Sequence, residues 1–287
     1  MTSQAPRPRP RARLRRSVAG VALFAAVSAS AAAKASEGPI RVLVLREHGV
    51  GSASSAQGYL DQLMAVVAKV NAWPAAEGQY HVDRKRAETY IAGTKPQYGL
   101  MSLGAYLALE RTHGLRPVGK AVLTAGGGEQ YYLISKTAKD PAECKGHALA
   151  TTFGGDPAFV DRVIFAGERS LAEFTVQAHT RPLQPLKAVI RDEAKCALVD
   201  DAQLAELGHM SDAAGVKPVW FSAKLPSLVI VAFPSAEKAQ ATRFQSSLQQ
   251  VCRGDGAPIC GAIGVTELRP IEAREVAGVS EAYHRKR

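Results

Sequence analysis

Short apolar runs of strand length alternate along this chain with segments of helical periodicity, and that alternation limits the fold more than any single motif. "IRVLVL" (40–45) is one such run, and after a polar loop Leu60, Leu63, Met64, Val67 and Val70 recur at helical spacing. "QYHVD" followed by "RKRAETYIAG", and "YGLMSL" followed by "GAYLALERTHG", repeat the order. "PVGKAVLTAGG" and "EQYYLISK" read as adjacent extended segments around a glycine turn. "ALATTF" then leads to "DPAFVDRVIFAGE", with Asp156 at a helix cap and Pro157 in the first helical position. "LQPLKAVIRDEAK" reads as a helix, "CALVDD" as a strand, and "VKPVWFSAKLPSLVIVAF" as two extended runs broken at Pro226. "SAEKAQATRFQSSLQQVC" reads as a helix, and the terminal "AYHRKR" as a solvated tail. Strands and helices in this alternation predict an α/β fold with mainly parallel sheets.

The formal charge of +10 suggests an affinity for nucleic acid, but its placement argues against it. Residues 1–33 hold six arginines and no acid; the rest has 30 basic against 26 acidic residues without obvious blocks. The same segment has an apolar run from Val18 to about Val27, followed by Ala-x-Ala spacing. This is the pattern of a secretory signal peptide over 1–33, cleaved near Ala31–Ala33, and its apolar part is too short for a membrane span. The expected product is exported and soluble, with no nucleic-acid partner. No cysteine near the cleavage site offers a stable membrane anchor, since the first is Cys144.

Export makes pairing the default for Cys144, Cys196, Cys252 and Cys260, which allow three connectivities. Cys252 and Cys260 enclose "RGDGAPI", whose Gly and Pro residues suit a tight closure, which would leave Cys144–Cys196 as the second bridge. No metal-ligand spacing, cofactor motif or catalytic arrangement emerges, and Gly126–Gly128 lack the lysine and helix of a phosphate-binding P-loop.

Three stretches, taken together, resemble the phosphate/phosphonate-binding group of periplasmic solute-binding proteins. They are "YGLMSLGAYLALE", "CKGHALATTFGGDPAFVDRVIF", and "KAVIRDEAKCALVDDAQLAEL" followed by "VWFSAKLPSLVIVAF". The resemblance implies the two-lobed type II periplasmic-binding-protein fold, two α/β lobes joined by two crossover strands. Lobe 1 would comprise 38–133 plus 222–287, and lobe 2 would comprise 134–221. A small anionic or zwitterionic ligand would be captured between the lobes by hinge closure, for the permease of an ABC importer. The alternative on the same fold is a sensing module that reports to a membrane receptor.

The resemblance places Ser102, Gly104 and Tyr106 at the cleft, with Thr151, Thr152, Gly154 and Gly155 at the opposing turn. Ser54 and Ser55, after the first strand, and Asp201, ending "CALVDD", complete the expected ligand set. The turn departs from the family's serine/threonine-rich sequence: Asp156 adds a negative charge and Pro157 removes one N–H donor.

Overall fold

The computed structural model describes residues 38–48, 53–124 and 126–285, without the side chains of 53–55. The expected signal segment, 1–33, lies outside the described residues. The elements in chain order are β1 (Ile40–Leu45), α1 (Ala53–Asn71), β2 (Ala76–His81), α2 (Arg84–Thr94), β3 (Tyr98–Ser102), α3 (Leu103–His113) and β4 (Arg116–Leu123). There follow β5 (Tyr131–Ser135), β6 (Ala148–Thr151), β7 (Thr175–Ala178), α4 (Gln184–Ile190), β8 (Cys196–Asp200), α5 (Asp201–Ala205) and β9 (Lys217–Phe221). The chain closes with β10 (Leu228–Ala232), α6 (Lys238–Val251), α7 (Ala257–Ala262), β11 (Val265–Pro270) and α8 (Ala273–His284).

Two sheets form, one in the order β11-β4-β10-β3-β1-β2 and the other β7-β6-β8-β5-β9. The interior strands are apolar on both faces because helices cover both; all five residues of β8 and of β10 are buried. The sheets are mixed rather than mainly parallel. β1 pairs in parallel with β2 and β3, and β6 with β7 and β8. β10 runs antiparallel to β3 and β4, and β5 antiparallel to β8 and β9. The cause is topological: β5 and β10 enter their sheets directly from the other lobe, without the crossover helix that makes a neighbour parallel.

Among the described residues, both passages between sheets are loops, one covering 124 and 126–130 and the other 222–227. β4 and β5, expected as neighbours, lie in different sheets. The division expected at 133/134 falls inside β5, whose five residues all pair in the second sheet. The C-terminal segment also departs from expectation. Ala282, Tyr283 and His284 belong to α8 rather than to a solvated tail, because Glu272 and Glu275 build a capping box that starts this helix.

Three apolar clusters hold the layers. One packs α1 and α6 against the first sheet, through Leu60, Leu63, Val67, Phe244 and Leu248. Another packs α4 against the second sheet. The largest spans both lobes, bringing Leu43, Met101 and Leu107 together with Leu133, Phe153, Phe159 and Leu198. Its continuity means that the lobes meet on apolar surface as well as on polar contacts.

Two disulfides join Cys144 to Cys196 and Cys252 to Cys260, with Cα separations of 5.9 and 5.5 Å. This is the pairing the loop lengths suggested.

Candidate functional site

Open α/β sheets gather ligand groups beyond the carboxyl ends of their parallel strands, where loops and helix starts converge. Here the two sheets turn those ends toward each other. Arg46, Glu47 and His48 follow β1, Ser102 ends β3, Phe153 and Asp156 follow β6, and Asp200 ends β8. The antiparallel strands bring their starts to the same edge, adding Tyr131 from β5 and Ser227–Leu228 from β10. Together with Arg84 and Gly104 these residues enclose a chamber of about 40 Å³ between the lobes. That is room for a few water molecules at most.

One wall of the chamber is made for an acceptor. Ser227 is 5% exposed, and neither its hydroxyl nor that of Ser102 has a hydrogen-bond partner among the described residues. Ser102 stands in the N-cap position of α3 without bonding the helix. The Leu103 amide donates to Ser227 O (3.1 Å), which leaves the Gly104 and Ala105 amides as first-turn donors with no partner inside the helix. The positive end of the α3 dipole adds to this wall. Gly104 permits close approach, since a Cβ there would lie 3.3 Å from the Phe159 ring. Arg46 lines the same chamber and makes no ion pair among the described residues.

The other wall is charged and already paired. Arg84 grips Glu47 in a fork, Nε to Oε1 at 2.9 Å and Nη2 to Oε2 at 2.7 Å. Its Nη1 donates to Asp156 of the second lobe at 3.2 Å. Burial alone would lower Arg84, but the hydrogen bonds and charge of Glu47, with the charge of Asp156, hold its pKa above the ordinary value. Asp156 also accepts the Phe159 amide (3.1 Å), capping the helix start as its sequence position suggests. The Tyr283 hydroxyl from α8 donates to the same carboxylate, at 3.1 and 3.3 Å from its two oxygens. Past the cap the chain is wound wide: Phe165 N bonds Val160 O, five residues back.

Burial, with the nearby Asp201 charge adding to it, raises Asp200 to about 6 despite the Gln203 amide. Burial likewise raises Tyr131, with help from Asp200 and Asp201, and lowers His48. The chamber therefore holds a neutral imidazole near neutral pH, with two guanidinium and three carboxyl groups around it.

The sequence-derived candidates distribute unevenly. Ser102 and Gly104 line the chamber. Thr152 and Gly155 line the wider mouth outside it, where the Thr152 hydroxyl is buried without a partner. Tyr106 is instead a core residue, its hydroxyl beside Glu110. Thr151 is fully occupied inside its lobe: its hydroxyl donates to Leu198 O (3.0 Å) and accepts the Phe153 amide (3.1 Å). Gly154 packs toward Val176 and Ala178. Asp201 faces the connecting loop, accepting the amides of Gly127 (2.9 Å) and Gly128 (2.8 Å). Gly126 is needed there, at φ 72°, because a Cβ would lie 2.0 Å from an Asp201 oxygen. The side chains of Ser54 and Ser55 lie outside the described residues.

Arg46, Glu47, His48, Arg84, Tyr131, Phe159 and Ser227 were missed. "REH" directly after "IRVLVL" carried a usable signal, because residues following a parallel strand fall at the cleft edge.

Neither a family model nor a curated protein sequence matches the chain. Solved structures do match in shape. XAC2383 from Xanthomonas citri, bound to ATP, superimposes with a TM-score of 0.67 at 14% identity, over 85% of this chain and 97% of that one. PhnD1 from Prochlorococcus marinus in complex with methylphosphonate gives 0.63 at 7% identity, over 85% and 97%. The aliphatic sulphonate binding protein SsuA from Escherichia coli gives 0.54 at 13% identity, over 86% of each. The fold is that of the type II periplasmic binding proteins. At such identities the likeness concerns architecture, two mixed sheets facing each other across a cleft. Among the described residues no helix is long and apolar enough to cross a membrane, and no group of three or more His, Cys, Asp or Glu side chains is placed to hold a metal ion.

Proposed function

We propose that this protein is a solute-binding protein that captures a small ligand bearing an oxyanion group, anionic or zwitterionic, between its two lobes. The observation that carries the reading is the pair of buried, unpartnered hydroxyls of Ser102 and Ser227 beside the first turn of α3. A buried hydroxyl without a partner costs roughly 1–3 kcal/mol, so two on one wall call for an acceptor that completes them. Helix amides at this wall, and Arg46 lining the same chamber, favour a negatively charged acceptor. The structural neighbours are consistent with this chemistry. ATP, methylphosphonate and sulphonates, which those proteins are described as binding, all present tetrahedral oxyanions.

Capture rather than turnover fits the side chains present: the four cysteines are all bridged, and the acidic residues of the chamber are held by Arg84 or by helix caps. As a periplasmic monomer it would hand its ligand to the permease of an ABC importer. A thermal-shift screen over phosphate, phosphonates, sulfonates, amino acids and polyamines tests the reading. An oxyanion at a hundred times its Kd should stabilise the protein by about 2.7 kcal/mol. Shifts with polyamines alone would overturn it.

A further inference from the structure

Asp156 belongs to the second lobe, yet its carboxylate rests against two groups of the first, Arg84 Nη1 at 3.2 Å and the Tyr283 hydroxyl at 3.1 Å. Among the described residues, the hydrogen bonds of the Arg84 guanidinium go to the chain's own carboxylates. α8 is held from the second lobe a second time, where Arg162 Nη1 donates to Tyr283 O at 2.7 Å. The chamber behind these contacts is about 40 Å³, room for a few water molecules. Arg84 and Asp156 line both this chamber and the wider mouth, so they stand between the two.

We propose that Asp156 is an internal competitor for the ligand: its carboxylate occupies Arg84 and Tyr283 in place of a ligand's anionic group and latches the lobes shut. An incoming oxyanion must displace it, and Asp156 thereby determines which anions bind and how tightly. This inference adds a determinant to the ligand site proposed above and rests on that reading only for its affinity arm. The physical argument is one of populations. A ligand enters the open form, and its apparent affinity falls by the fraction of molecules that are open. If the latch leaves about a tenth of them open, releasing it lowers the apparent Kd about tenfold. Removing the charge also removes repulsion between Asp156 and the anion.

Three variants test the latch. D156N keeps a capping oxygen without the charge, D156S keeps a cap but is too short to reach Arg84, and Y283F removes the α8 donor without touching the cap. Small-angle X-ray scattering of the ligand-free proteins should give a larger radius of gyration for D156S and D156N than for the native protein, with Y283F between. Calorimetric titration with inorganic phosphate and methylphosphonate should give about tenfold tighter binding to D156N. Folded variants, judged by circular dichroism, with native radii in all three would overturn the proposal. So would D156N binding these anions more weakly than the native protein. If neither anion binds any of the proteins, the oxyanion reading fails, and the scattering still decides the latch.

Discussion

Ser227 and Ser102 carry hydroxyls that are buried and have no hydrogen-bond partner among the described residues, a condition that lowers stability unless a ligand relieves it. Their substitution should therefore move stability and binding in opposite directions. We expect S227A to melt at or above the native temperature, while losing roughly 10–100-fold in affinity for the bound oxyanion. Differential scanning calorimetry and isothermal titration on one preparation check both signs; a loss of stability with intact binding would make Ser227 a structural residue. Asp200 offers a pH-dependent counterpart. Its carboxyl is raised from 3.8 to about 6, chiefly by burial, so the folded form binds a proton that the unfolded chain has already lost. The associated stability is complete below about pH 4 and declines as pH rises through 6, by roughly 3 kcal/mol. Asn would retain the cap that Asp200 gives the Gln203 amide (2.8 Å). The melting temperature of D200N relative to the native protein should thus increase between pH 4 and pH 7, and a constant difference would disprove the assignment. At this scale the sequence was a partial guide. The resemblance carried by "YGLMSLGAYLALE" placed Gly104 and Ser102 at the cleft but not Ser227, which precedes β10 and is brought to the same edge only by antiparallel pairing.

Among the elements, the two bridges act over different lengths of chain. Cys144–Cys196 closes a loop of sequence separation 52, and Cys252–Cys260 one of separation 8. Loop-closure entropy gives them about 4 and about 2.5 kcal/mol respectively. Replacing Cys144 and Cys196 with Ala should accordingly lower the denaturation midpoint more than replacing Cys252 and Cys260, as chemical denaturation of both double variants would establish. The reverse order would mean that native-state packing around α6 and α7 outweighs the entropy of the unfolded chain. The bridges, like α1 and α6, were legible because their signals are local: cysteine spacing, and apolar residues three and four apart. α8 was not, since "AYHRKR" is polar and basic, and its helix depends on a cap formed upstream at Glu272 and on Glu110, which accepts His284 Nε2 (2.6 Å) from across the lobe. The same remoteness hid the role of Tyr283 at Asp156.

At the scale of the whole molecule, alternation announced the α/β class and the resemblance its two lobes, but neither told which strands would share a sheet. β4 and β5 follow each other in the chain and part company because β10, arriving after residues 124–227, takes the place between β3 and β4. Nothing near β4 in the sequence specifies that partner. This insertion has a consequence for how the molecule is made. The second sheet is encoded without interruption between Tyr131 and Phe221, so it can close as soon as that stretch is available. The first sheet keeps a gap until Leu228–Ala232 is delivered, and its closure waits on contacts of long sequence separation, which form slowly. Pulsed hydrogen exchange during refolding should protect the amides of β5, β6 and β8 before those of β3, β4 and β10; simultaneous protection would refute the order. During synthesis the β3 and β4 edges next to that gap stay unpaired, and such edges recruit foreign strands. The nascent chain is therefore exposed to aggregation from the completion of β4 at Leu123 until one five-residue strand, Leu228–Ala232, ends that interval.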